Sequence, residues 1–67
     1  MMKTEPMNIT VIVYDREGGV FRKSFANDKY LKAKAFAYEE SQWESCKVAE
    51  IRTESGKLLT EYKGWFA

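Results

Sequence analysis

Asn8-Ile9-Thr10-Val11-Ile12-Val13-Tyr14 carries the strongest structural signal in the chain. It is β-branched almost throughout, and such side chains fit a pleated sheet better than a helix. Ile9, Val11 and Val13 share one face; Thr10, Ile12 and Tyr14 share the other, which is therefore not fully polar. Asp15-Arg16-Glu17-Gly18-Gly19 follows, with glycine where a tight turn needs a positive φ. Val20 to Phe25 reads as the returning strand, with Phe21 and Phe25 on one face. Lys23 lies between them on that face and Arg22 on the other. These segments form a hairpin.

Beyond the hairpin, Asn27 or Asp28 is positioned to cap a helix running to about Trp43 or Glu44. No glycine or proline interrupts it, and its alanines favour it. The last third repeats the opening. Cys46 to Thr53 is a strand, Glu54-Ser55-Gly56-Lys57 a turn, and Leu58 to Lys63 a strand, before Gly64-Trp65-Phe66-Ala67 closes the chain. At an offset of 38, Val13 aligns with Ile51, Gly18 with Gly56, Val20 with Leu58 and Phe21 with Leu59. Any two hairpins with a glycine turn align about as well, so duplication is not required. Residues 1–7 read as a short flexible lead punctuated by Pro6, and residues 8–67 as a single domain. The expected architecture is α+β, in the order ββαββ: a four-stranded antiparallel sheet with one helix packed on one face.

The helix carries two apolar stripes. Tyr30, Ala33, Phe36 and Ala37 form one, and its two alanines beside Phe36 suit close packing on a sheet, so it is assigned to the core. Leu31, Ala35 and Tyr38 form the other, which leaves Leu31 and Tyr38 facing outward as a partner surface or a dimer contact. The helix charges oppose its dipole. Lys29, Lys32 and Lys34 fall in its first half and Glu39, Glu40 and Glu44 in its second. Glu40 and Glu44 are like charges four apart, and Asp28 alone helps, as a partner for Lys32. The three lysines form either a solvated face or a basic patch for phosphates or acidic side chains.

Composition narrows the function. The chain has 67 residues, enough for one small domain whose core is marginal. One cysteine makes no internal disulfide, and the absence of histidine removes ordinary zinc sites and every Ser/His or Cys/His pair. Ten aromatics (two Trp, four Tyr, four Phe) are then the expected source of stability. Cys46 reads as a small buried hydrophobe, because Lys47 points to the opposite strand face. Neither GxxxxGK[ST] nor GxGxxG is present, and Glu39/Glu40 lie on a helix surface, so neither an enzyme nor a cofactor is expected. Apolar runs stop far short of the roughly 20 residues that span a bilayer, and Met1 to Pro6 holds no apolar signal-peptide region. Cytoplasmic residence without membrane contact is expected. The net charge of +1 disfavours nonspecific nucleic-acid binding.

Binding remains. Trp43 is placed to close the core at the helix end. Trp65 and Phe66 either fold back over a sheet edge or serve as an aromatic anchor. The sheet face away from the helix, with Ile12, Tyr14 and Tyr62, is a candidate platform for single-stranded bases.

In layout, the NITVIVYDREGG opening, the KAKAFAYEE helix and the closing VAEIRTESGKLLTEYKGW hairpin resemble small accessory proteins of phages and mobile elements. These include anti-CRISPR-type inhibitors with a bent antiparallel sheet and one helix. The resemblance covers about residues 8–66 at the level of topology and supplies no residue-by-residue motif. It implies a non-enzymatic protein that binds a large host nucleoprotein complex in the host cytoplasm and occludes a surface of it. Near-neutral charge departs from strongly acidic DNA mimics and favours contacts through Lys29, Lys32, Lys34, Tyr38, Trp65 and Phe66. The alternatives are a small nucleic-acid-binding or transcription-associated protein using the open sheet face, and a homodimer with Leu31 and Tyr38 at its seam.

Overall fold

A computed structural model describes residues 8–64. The order is β1 (Asn8–Asp15), β2 (Val20–Ala26), a 3-10 turn (Asn27–Lys29), α1 (Tyr30–Ser41), β3 (Cys46–Thr53) and β4 (Leu58–Lys63). The strands form one antiparallel sheet in the order β2-β1-β3-β4, so the expected α+β, ββαββ architecture is present. The two hairpins lie side by side, with β1 and β3 in the middle. The expected seven-residue lead lies outside the described residues.

Strand register sorts the side chains. Phe21–Val13–Ala49–Tyr62 and Lys23–Val11–Ile51–Thr60 are rows on the face that α1 covers. Val20–Tyr14–Val48–Lys63 and Arg22–Ile12–Glu50–Glu61 are rows on the open face. Tyr62 therefore lies under the helix and not on the open face: it is opposite Ala49 and packs against the core. Between Tyr14 and Asp15 the register slips by a β-bulge in β3. The extra residue is Lys47, and the bulge turns Cys46 into the core while Lys47 stays exposed.

The core is aliphatic and small. Ile9, Val11, Val13, Ala33, Ala37, Cys46, Ala49 and Ile51 are its buried residues. Ala33 and Ala37 are one helical turn apart and both face the sheet, so the helix approaches β1 and β3 too closely for a ring to fit beneath it. The described aromatics, expected from composition as the source of stability, accordingly do not form the centre but flank it. Toward β2, Phe36 meets Phe21 and Phe25 at ring centroid distances of 6.2 and 5.8 Å. Lys23 Nζ stands 5.7 Å from the ring centroids of both Phe25 and Phe36. Toward β4, Tyr38 meets Tyr62 edge-on at 5.7 Å, and the Tyr30 hydroxyl shares a 2.9 Å hydrogen bond with Thr60 Oγ1.

The helix is shorter than its sequence pattern suggests. Neither Asn27 nor Asp28 caps it; the extended Ala26 leads straight into the 3-10 turn, and no side chain caps either helix. With Asp28 in that tighter turn, it forms no ion pair with Lys32. At the other end Ser41 Oγ donates to the Tyr38 carbonyl at 2.6 Å, a local bond that competes with helix continuation. Gln42 and Trp43 N–H groups then donate to the Glu39 and Glu40 carbonyls, tightening the last turn. Glu44 consequently lies outside the helix, and its like-charge pairing with Glu40 on one helix face does not arise. Trp43 projects outward at 64% exposure and does not close the core.

Candidate binding surface

The second apolar stripe of α1 is exposed, as its spacing predicts. Leu31 is 77% and Tyr38 54% exposed, and they lie about 20° apart around the helix axis, with Ala35 beside them. Tyr38 is held from below by Tyr62. Past the helix end, Trp43 joins Tyr38, Glu39 and Gln42 around a shallow groove of about 340 Å³. The result is a ridge of Leu31, Tyr38 and Trp43 on the β4 side of the helix, rooted in the aromatic contact beneath it.

The lysines do not form one patch. Lys32 and Lys34 are two residues apart, a rotation of about 200°, which puts them on opposite flanks of α1. Lys34 Nζ lies 5.6 Å from the Tyr30 ring centroid, on the flank that carries Tyr38. Lys32 is exposed on the flank toward β2, and exposed Lys29 ends the 3-10 turn. Trp65 and Phe66 lie outside the described residues.

The open sheet face is mixed in charge. Arg22, Arg52 and Lys63 stand among Glu50 and Glu61, and Arg52 Nε donates to Glu50 Oε1 at 2.8 Å. That hydrogen bond holds the Arg52 guanidinium above its ordinary pKa. Among the described residues Tyr14 is the one aromatic in these rows, which offer a single ring for bases to stack on.

Cys46 behaves as a buried hydrophobe. Burial pushes its thiol pKa up, Glu40 and Asp15 push it further, and Arg16 opposes them. A thiol held protonated is a poor nucleophile. Among the described residues, no helix is long and apolar enough to cross a membrane.

The exposure of Trp43 was the part of this surface that sequence reasoning missed. Its signal is Ser41, a residue that favours helix ends, two positions upstream. Comparison of the chain with protein-family models, with curated proteins and with solved structures finds no significant match.

Proposed function

We propose that this chain is a non-enzymatic protein-binding module that presents the outer flank of its helix to a partner protein. The observation that carries this reading is the ridge of Leu31, Tyr38 and Trp43, three large apolar side chains left in water on one side of the molecule. Tyr and Trp are the residue types that dominate protein interfaces, and Tyr38 is pre-positioned by Tyr62. Lys34 borders the ridge and supplies a cation at its rim. The open face supports the nucleic-acid alternative less well, because Glu50 and Glu61 offset its cations. The finer reading, a phage-encoded inhibitor that occludes a CRISPR-type defence complex, rests on the layout resemblance alone. Loss of target cleavage by a purified guide-RNA nuclease on adding this chain supports it; undiminished cleavage removes it.

Capture from the source cells with tagged wild-type chain and surface variants tests the wider reading. Leu31→Asp with Tyr38→Ala should reduce recovery of one stoichiometric protein partner by about tenfold or more. Arg22→Glu with Arg52→Glu should leave it intact. The opposite pattern, or binding of oligonucleotides that weakens steeply with salt, transfers the function to the open face. A hydrodynamic mass twice that of one chain, lost in the Leu31/Tyr38 variant, makes the partner a second copy.

A further inference from the structure

Where the helix finishes, a groove of about 470 Å³ opens between the first turn, the start of β2 and the chain leaving α1. Each side contributes one carboxylate and one ring. Asp15 and Phe21 come from the first hairpin; Glu40 and Trp43 come from the helix and its exit. Val13 and Cys46 give the groove an apolar base. The surroundings are anionic as well. Glu17 and Glu44 line the adjoining surface with Asp15, while Arg16 is the one cation there among the described residues and commits its Nε to the Glu44 carbonyl at 2.9 Å. Among the described residues, four carboxylates thus stand against one guanidinium in a chain whose net charge is +1. The negative end of the α1 dipole points to the same place.

We propose that this groove is a subsite for an arginine side chain presented by a partner protein, its guanidinium paired with Asp15 and Glu40 and stacked against Phe21 and Trp43. Arginine fits better than lysine because a planar fork can meet two carboxylates while its faces lie on rings; an ammonium is a compact point charge. Rings beside carboxylates also favour a cation over an apolar occupant. The occupant rests on the protein-binding reading above, and Trp43 joins the two surfaces, since it lines both this groove and the one beside Tyr38.

The test is an NMR titration of the full chain with acetyl-Gly-Arg-Gly-amide and its lysine and citrulline counterparts. The arginine peptide should give saturable shifts centred on the Trp43 indole N–H and the amides of Asp15, Gly19 and Cys46. The lysine peptide should bind several-fold more weakly, and neutral citrulline should leave the groove unmoved. Glu40→Gln should weaken the arginine response about tenfold, as expected for loss of a charge-assisted contact. Trp43→Leu, which keeps an apolar side chain but removes the ring, should weaken it too. Shifts spread over remote carboxylates such as Glu54 and Glu61 overturn the proposal, as does an equal citrulline response or an undiminished Glu40→Gln. The ridge variant Leu31→Asp with Tyr38→Ala should keep the arginine response. Failure of the ridge as a partner surface therefore shows separately from failure of the groove.

Discussion

The first hairpin (Asn8–Ala26) and the second (Cys46–Lys63) turn through the same loop but are anchored differently. In each, the glycine two positions before the returning strand has a φ in the left-handed region: Gly18 at 96° and Gly56 at 97°. The closing bonds match one for one. Asp15 N–H donates to Gly19 O and Gly18 N–H to Asp15 O; Thr53 N–H donates to Lys57 O and Gly56 N–H to Thr53 O. The ends differ. The first loop is tied to the rest of the chain by Arg16, whose N–H donates to Ser45 O and whose Nε donates to Glu44 O. The second loop is tied to itself, through Thr53 Oγ1 with Ser55 and Lys57, and through Arg52 with the Gly56 carbonyl. After β2 the exposed Ala26 enters the 3-10 turn; after β4 the buried Gly64 lies against the backbone of Cys46 and Lys47. Local turn chemistry makes each hairpin, and what its ends touch decides what it holds in place.

The largest effect is expected where the hairpins differ most. A Cβ on Gly64 would clash with the Cys46 carbonyl oxygen, which is backbone and has little freedom to move. Gly64→Ala should cost about 3 kcal/mol in urea unfolding, at the upper end for overpacking. Gly19→Ala, in the turn of the first hairpin, is the contrast: there a Cβ meets Asp15 Cβ at 3.5 Å, an ordinary contact, and the cost should stay below about 1 kcal/mol. Equal costs for the two would break the comparison.

Next come the two turn glycines. Both have open space around them, so alanine at either is opposed by backbone conformation alone. Gly18→Ala and Gly56→Ala should each cost about 1–2 kcal/mol. Thermal or urea unfolding should find them equal within about 0.5 kcal/mol. A larger gap would mean that the Arg16 tether makes the first loop stiffer than its bonds alone suggest. A smaller effect than at the turn glycines is expected on that tether: Arg16→Ala should cost about 0.5–1.5 kcal/mol. It should speed amide exchange at Cys46 and Gly18 while leaving Gly56 unchanged.

Much of the fold was legible because the signals were local. The β-branched run Asn8–Tyr14, the glycine turns and the period of Ala33 and Ala37 each act over a few residues. Strand order was not legible, because either edge of either hairpin could have joined the other. Tyr62 went to the wrong face because its side depends on the register between β3 and β4, which a bulge near Leu58 interrupts. The bulge at Lys47, which turns Cys46 inward, leaves no mark in the sequence. The site was partly legible: Leu31 and Tyr38 followed from helical period, but Trp43 depended on the helix stopping at Ser41. The groove was invisible, since Asp15, Phe21, Glu40 and Trp43 come from three separate stretches that only the tertiary fold assembles.

The two alanines beneath the helix have a further consequence. Because Ala33 and Ala37 seat α1 on the sheet while Phe36 and the Tyr38–Tyr62 pair steady its sides, the top of the helix takes little part in the packing of the described residues. Leu31, Ala35 and Glu39 are all exposed there. A library randomised at those three positions should stay folded at nearly wild-type stability. The architecture is therefore a display scaffold, in which recognition can be rewritten residue by residue while the chain goes on folding as before.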